Sequence, residues 1–249
     1  MKRLLLVLTL FCNSAFASES LYQSALKAYQ DRNYPEAETA FRDFLKAEPE
    51  NTIALYNYGL AAYQQNKKGL AVAAWRKALR LDPDMNLAKK ALFFAQTEMP
   101  AEVFNSDSSY WESLRNNVLN QAPLQHFLGL TTLLFLFSAY LGIRYFGARH
   151  RALRDEKPLP PFPTVLVFLA VGLGGALWLT TSKVMADLET RATVVASSIE
   201  LRTGPSAEDN ALFELIEGSE VIVLRQVQDW VQVRYPNGLA GWVPAASLF

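Results

Sequence analysis

The side chains that most often perform catalysis or hold metal ions are scarce in this sequence of 249 residues. It has two histidines, His126 and His150, and one cysteine, Cys12. It has no glycine-rich phosphate loop, no His-Glu-x-x-His motif and no Gly-x-Ser-x-Gly motif. Acidic pairs such as Glu36 and Glu38 fall on helix positions that we expect to be exposed. We therefore expect no catalytic residues, no metal site and no bound cofactor, and we predict that the protein is not an enzyme.

The first residues have the features of a secretory signal peptide. A short basic start is followed by an apolar run, and then by Ala15-Phe16-Ala17, which has the small-x-small pattern of a signal-peptidase site. We predict a signal peptide over residues 1–17. The predicted mature chain then enters the cell envelope.

Cys12 lies within this predicted signal peptide. If it were the acylated residue of a lipoprotein, small residues would precede it, but Leu10 and Phe11 do so. Cleavage after residue 17 would leave no thiol for a disulfide or a thiolate metal site. Because cleavage also removes Lys2 and Arg3, the charge balance changes from 24 basic and 24 acidic residues to 22 and 24. A chain with this balance is not expected to bind nucleic acid.

Two copies of a helical pattern occupy residues 18–98, which are rich in alanine and carry apolar residues at spacings of three and four. A small residue lets paired helices approach closely, an aromatic ring fills the space between repeats, and proline ends the second helix. An offset of 34 residues aligns Ala25 with Gly59, Ala37 with Ala71, Phe41 with Trp75, Phe44 with Ala78, and Pro49 with Pro83.

This pattern resembles the tetratricopeptide repeat, a helix-turn-helix unit of the same period. The resemblance implies repeats at 18–51 and 52–85, and we predict a capping helix at 86–98. It also implies that the first helix of each unit lines a concave groove that binds extended peptides. Asn57 is suited to a peptide backbone and Lys90 to a carboxylate, whereas packing within the fold is the alternative role of the tyrosines. The groove positions are Tyr22, Leu26, Tyr29, Tyr56, Asn57, Leu60, Tyr63, Lys90 and Phe94.

Two apolar stretches follow a polar spacer at residues 99–123. Residues 124–143 and 164–182 contain no formally charged side chain, and about twenty residues of helix cross the apolar layer of a bilayer. We predict that both are transmembrane helices. The loop between them, residues 144–163, has five basic and two acidic residues, and short basic loops stay in the cytoplasm.

The signal peptide and the basic loop predict the same topology. The repeats and the tail after residue 182 lie outside the inner membrane, in the periplasm of a Gram-negative cell, and the loop lies in the cytoplasm. The protein is therefore expected to be a bacterial inner-membrane protein with two spans and two periplasmic domains.

The C-terminal segment, residues 183–249, indicates a small all-β domain. From about residue 189 onwards, short runs rich in Val, Ile and Leu alternate with turn dipeptides. The elements Leu-Arg-Thr-Gly-Pro at 201–205 and Gly-Trp-Val at 241–243 resemble the bacterial Src-homology-3 (SH3) domain.

This second resemblance implies an SH3-like barrel over a core of residues 189–249, with Trp242 buried. Arg202, Trp230 and Tyr235 are the candidates for a surface contact. Members of that family bind peptides, cell-wall material or no known ligand, and the sequence leaves these alternatives open. The predicted fold class is multidomain: an all-α tetratricopeptide-repeat domain, two transmembrane helices and a small all-β SH3-like barrel.

The order of these segments resembles the repeat-containing, BatE-type member of the Bacteroides-aerotolerance envelope proteins. That resemblance implies an assembly with membrane proteins that carry von Willebrand factor A domains and with a MoxR-type AAA ATPase, and a role in envelope integrity or stress tolerance. We expect a non-catalytic scaffold that binds protein partners in the periplasm through the groove and the barrel. The alternative is a sensor whose SH3-like domain binds peptidoglycan.

Overall fold

The structure is a computed structural model that describes residues 19–100, 103, 110–235 and 238–249. The predicted signal peptide at residues 1–17 lies outside the described residues. The chain forms two compact units, of which one combines the described residues before 104 with residues 190–249 and the other comprises residues 110–189.

The first unit begins with paired helices. The first and second pairs of helices correspond to the two repeats, and the fifth helix packs against the fourth. α1 is helical from residue 19 to residue 30, and it is followed by α2 (Tyr34–Ala47), α3 (Thr52–Gln64), α4 (Lys68–Leu81) and α5 (Asn86–Glu98).

The residues that define the 34-residue register form the core of these helices. At Gly59 an added Cβ would lie 2.4 Å from the Trp75 indole nitrogen, so glycine is required where α3 and α4 approach each other. The indole N–H donates to the Tyr56 carbonyl at 3.1 Å, which satisfies the one polar atom of a buried ring. The buried register positions are Ala25, Ala37, Phe41, Phe44, Ala71, Trp75 and Ala78.

The first unit ends in an antiparallel six-stranded sheet of order β1-β4-β5-β6-β2-β3. In β5 alternate residues are buried, namely Val231 and Val233, as expected for a strand that packs on one face. Trp242, expected in the core, is buried. The strands are β1 (Arg191–Thr193), β2 (Ser198–Arg202), β3 (Ala211–Ile216), β4 (Glu220–Val227), β5 (Trp230–Arg234) and β6 (Ala240–Pro244).

The second unit contains α6 (Tyr110–Asn117), a short 3-10 helix (Leu119–Gln121) and two long helices, α7 (Leu124–Arg154) and α8 (Val165–Leu188). Both long helices have the length and apolar composition needed to cross a bilayer. Thr131, near the start of α7, and Thr180, near the end of α8, bring their hydroxyl oxygens within 2.8 Å. The two helices therefore pack as an antiparallel hairpin. Helical repeats, two apolar helices and a C-terminal antiparallel sheet confirm the predicted fold class.

α7 continues beyond residue 143, where the predicted span ends. The first part of the predicted loop is helical because arginine, alanine and leucine are good helix formers. The helix ends where Glu156 adopts a φ of 54° and the Lys157 N–H donates to the Ala152 carbonyl at 2.9 Å, a Schellman-type ending. Pro158 follows and cannot continue a helix. The other predicted domain boundaries remain predictions.

Candidate functional site

The predicted groove positions lie on the first helix of each pair and on α5. Those on α1 and α3 are half-buried, whereas Lys90 and Phe94 on α5 are exposed. α1 carries Tyr22, Leu26 and Tyr29, α3 carries Tyr56, Asn57, Leu60 and Tyr63, and α5 carries Lys90 and Phe94.

Tyr22 and Asn57 are bonded to each other across the two repeats. The Asn57 side-chain amide donates to the Tyr22 hydroxyl at 3.0 Å. The Tyr22 ring packs against Phe41 and Phe44, with ring centroids 5.9 and 5.2 Å apart. One donor of the Asn57 amide, the group predicted to bind a peptide backbone, is therefore engaged within the protein. This pair holds α1 against α3.

Tyr29 and Tyr56 form the middle of the predicted groove. Burial raises the pKa of Tyr29, as does the nearby Tyr34, while a hydrogen bond with Gln64 lowers it and Tyr56 raises it again. The Tyr29 ring meets that of Tyr34 edge-on at 5.4 Å. Tyr29 therefore packs against Tyr34 and keeps its hydroxyl group un-ionised at neutral pH.

Tyr63 connects α3 to α5. Its ring lies 5.8 Å from the rings of both Trp75 and Phe94, and its hydroxyl donates to the Glu98 carboxylate at 2.5 Å. Burial raises the pKa of Tyr63 to about 12, and the hydrogen bond and charge of Glu98 act in the same direction. Conversely, the hydrogen bonds from Tyr63 and then Lys68 lower the pKa of the Glu98 carboxyl. Tyr63, a predicted groove residue, is thus also a packing residue.

The α5 side of the predicted groove is more accessible than the α1 and α3 side. Leu87, Lys90 and Phe94 are three and four residues apart, so they lie on one side of the helix. Leu87 is 54% exposed and Phe94 is 51% exposed. Among the described residues, none forms an ion pair with Lys90. This surface offers apolar contact beside a cation, which suits a peptide with an apolar side chain and a carboxylate.

Trp230 and Tyr235, two of the residues predicted to form a surface contact on the barrel, lie apart from each other. Trp230 begins β5 and Tyr235 follows its last residue, Arg234, so about 17 Å of extended strand separates them. The Tyr235 ring packs edge-on against Phe213 at 5.5 Å. Trp230 and Tyr235 do not share one surface cluster.

The third barrel candidate, Arg202, makes contacts within the barrel. Its guanidinium donates to the backbone carbonyls of Ala207 at 2.6 Å and Asp209 at 2.7 Å, and it also pairs with Glu200. These bonds hold the loop between β2 and β3. A ligand role for Arg202 would therefore have to coexist with this structural one.

A contact between the barrel and the repeats was not foreseen from the sequence. The Glu217 carboxylate accepts a hydrogen bond from the Gly69 N–H at 2.5 Å. Gly69 lies in the first turn of α4, where N–H groups lack helical partners, and the cap residue Lys67 makes no side-chain capping bond. The Lys67 ammonium pairs instead with Glu38, which is buried rather than exposed as the sequence suggested. A Cβ at Gly69 would lie 2.8 Å from the Val194 carbonyl oxygen. The barrel thus caps α4 with a carboxylate, the charge that a helix N-terminus favours.

Two arginines of α4 extend this contact along the helix. Arg76 donates to the carbonyls of Gly218 at 2.6 Å and Val103 at 3.2 Å. Arg80 lies 3.4 Å from Glu220, which is also 3.7 Å from the buried Arg191. The turn between β3 and β4 is therefore bonded to α4 at both of its ends.

Phe249 completes the contact. Its backbone exchanges two hydrogen bonds of 3.0 Å with Thr193. Its ring stacks on that of the buried Tyr58, with centroids 6.0 Å apart, and lies 5.6 Å from the Lys77 ammonium. The ring packs against both apolar clusters of the repeats. The repeat residues that make these named contacts differ from the predicted groove positions, so groove and barrel contact use different side chains.

Paired helices and a small antiparallel sheet are the two folds in this unit. Comparison with known protein families agrees with both predicted domains. Residues 22–86 match the family model described as tetratricopeptide repeat, and residues 197–249 match the model described as bacterial SH3 domain. No curated protein shows significant similarity to the chain. The predicted repeats and SH3-like domain are confirmed, and both families are typically non-catalytic interaction domains.

Proposed function

We propose that the protein is a non-catalytic scaffold of a bacterial inner membrane that binds protein partners through its repeat groove and its barrel. The observation that supports this proposal is the contact between α4 and the barrel. The repeats precede α7 and the barrel follows α8, so two domains that touch each other must lie in one compartment. An antiparallel hairpin of two spans meets this requirement, because it returns the chain to the side from which it entered.

The proposed orientation follows from charge. The end of α7 carries four exposed arginines, and short basic segments next to a span stay in the cytoplasm. The N-terminal residues resemble a signal peptide, which would export the repeats. In this proposal, residues 18–98 and 183–249 are periplasmic and residues 144–163 are cytoplasmic.

This orientation is tested by fusing a reporter enzyme that is active only in the periplasm. Fusions after residues 110 and 249 should be active, and a fusion near residue 152 should be inactive. Activity of the fusion near residue 152 would contradict the orientation. Activity of all three would contradict the two spans.

The proposed ligand of the groove is an extended segment of a partner protein. Its apolar side chain would contact Leu87 and Phe94, and a carboxylate would lie near Lys90. The support for this choice is the exposure of these side chains on one side of α5, beside tyrosines that are already bonded within the fold. The proposed contribution of the barrel is a second protein contact.

A finer proposal concerns the partners. The order of the segments resembles the BatE-type aerotolerance proteins, which implies membrane proteins with von Willebrand factor A domains and a MoxR-type AAA ATPase on the cytoplasmic side. The proposed role is then the maintenance of envelope integrity under stress.

The match to the bacterial SH3 family supports a second candidate function, in which the barrel binds peptidoglycan. Sedimentation of the detergent-solubilised full chain with purified cell wall separates the two. Protein partners without cell-wall binding support the scaffold, and cell-wall binding that survives changes in the groove supports the sensor.

The groove proposal is tested by purifying the full chain in mild detergent and identifying the proteins that accompany it. The variant Lys90→Glu with Phe94→Ala should bind its partner roughly 10- to 100-fold more weakly, which is the effect of removing a few central contacts. The matched control is Lys89→Glu with Phe93→Ala, which makes the same changes one residue earlier on α5. Retention of the partner by both variants would show that the groove is not the binding site.

A further inference from the structure

The C-terminal end of α7 carries four arginines. In the described part of the chain, no carboxylate forms an ion pair with any of them. The neighbouring Asp155 is instead 3.2 Å from the Lys157 ammonium. All four side chains are exposed: Arg144, Arg149, Arg151 and Arg154. The helix therefore presents a local excess of positive charge that no carboxylate of the described residues neutralises.

These arginines follow the apolar stretch of α7 directly, at the level of the lipid headgroups and just beyond it, if α7 spans the membrane as the proposed function requires. The twenty uncharged residues 124–143 make a helix of about 30 Å, the thickness of the apolar layer. Arg144 is the first charge after this stretch. Arg151 and Arg154 lie within a quarter turn of the same side, since seven residues complete about two turns.

Aromatic rings surround the same region. The Tyr145 ring meets Phe146 edge-on at 5.5 Å and Phe162 at 5.4 Å. Phe162 belongs to the connector that leads into α8, so this contact fixes the connector beside the basic end of α7. The Arg144 guanidinium lies 5.7 Å from the centre of the Tyr140 ring. Aromatic residues of this kind concentrate at the interface between lipid tails and headgroups.

We propose that the arginines at the end of α7 bind the phosphate groups of anionic lipids in the cytoplasmic leaflet. Guanidinium groups bind phosphate through two parallel hydrogen bonds, and a basic segment beside a span attracts anionic lipids. The aromatic rings and the adjoining apolar stretch favour a lipid over an acidic protein segment as the ligand, because they place the charges at the membrane surface.

The experiment measures lipid binding to the detergent-solubilised full chain by native mass spectrometry, with phosphatidylglycerol and phosphatidylcholine as the two probes. The wild-type chain should bind phosphatidylglycerol at least about tenfold more tightly than phosphatidylcholine. Replacing the four arginines with glutamine should weaken phosphatidylglycerol binding by roughly 10- to 100-fold. The matched control loses four exposed basic residues elsewhere, through Lys27→Gln, Arg42→Gln, Lys89→Gln and Arg234→Gln, and should bind as the wild type does.

Equal affinity for the two lipids, or equal losses in both variants, would overturn the lipid site. Loss of a cytoplasmic protein from the arginine variant, with unchanged lipid binding, would also overturn it in favour of a protein ligand. Extraction of native membranes with alkaline carbonate tests the anchor separately. A chain that stays in the membrane without lipid preference refutes only the lipid site, whereas a chain released into solution refutes the membrane anchor.

Discussion

The Phe249 ring provides a direct test of the contact between barrel and repeats. Phe249→Ala removes the ring that stacks on Tyr58 and lies beside Lys77. The Phe249 backbone can keep both of its hydrogen bonds with Thr193. The substitution therefore weakens the contact without directly removing a bond of the sheet.

The expected loss follows from how far the ring is buried. Complete truncation of a buried phenylalanine costs about 3–5 kcal/mol, and the Phe249 side chain is only partly buried against the repeats. Half of that cost, which already includes the loss of the aromatic contact, gives about 2 kcal/mol for separating barrel from repeats. This corresponds to about a 30-fold change in the opening equilibrium.

Amide hydrogen exchange of the full chain measures this opening. The Gly69 N–H is bonded to Glu217, so the first turn of α4 should exchange about 30-fold faster in Phe249→Ala, together with the turn at residues 217–220. The control is Phe93→Ala, because Phe93 is 70% exposed on α5 and its loss should leave this exchange unchanged. Unchanged exchange in Phe249→Ala, or equal acceleration in the control, would refute the contact.

Three further predictions concern the repeats. Trp75→Ala should destabilise the repeat helices by about 3–5 kcal/mol, since its ring is a buried core residue; a loss below about 1 kcal/mol in circular-dichroism melting would contradict the register. Arg76→Ala should weaken the contact between barrel and repeats by about 1.5–3 kcal/mol, because hydrogen bonds to two carbonyls lose a charged donor. Amide hydrogen exchange at residues 217–220 should then become faster. The control, Arg42→Ala, lies at an exposed position of α2 and should leave that exchange unchanged. The pKa values of Tyr58 and Tyr63 are raised from 10.0 to about 12, so their contribution to stability is complete below pH 10 and is lost as the pH rises through 12; tyrosinate absorbance followed together with helical content tests this, and titration of every tyrosine near pH 10 would contradict it.

The repeats were predictable because they are determined by the size of the side chain at positions that recur every 34 residues. Gly59 and Trp75 come from different helices of one repeat, yet each falls at the position that its size requires. The groove positions followed from the same register. Their bonds to one another did not, because the pairing of Tyr22 with Asn57 and of Tyr63 with Glu98 depends on distances between helices.

The contact between barrel and repeats could not be predicted from local patterns. Gly69 and Glu217 are 148 residues apart, and each has a sufficient local explanation, one as a small helix residue and the other as a turn residue. The only signal was a glycine in an alanine-rich helix, which costs about 1 kcal/mol relative to alanine and so suggests a close approach. The contacts of Arg202 could not be predicted from local patterns either, because its hydrogen bonds to loop carbonyls form only in the folded barrel.

The length of α7 could not be predicted from the charge pattern. The arginines after residue 143 indicated a loop because charge marks the end of an apolar span. Charge predicts the side of the membrane rather than the secondary structure, and these residues remain helical up to Arg154.

The claim that the groove binds a protein partner is tested most directly by photo-crosslinking in native membranes. A photoreactive phenylalanine analogue at position 94 faces the predicted groove, and the same analogue at position 93 provides the control on the same helix. The proposal predicts that irradiation joins position 94 of the full chain to a specific protein and that position 93 gives little of the same product. Absence of a product from position 94, or equal yields from both positions, would contradict it.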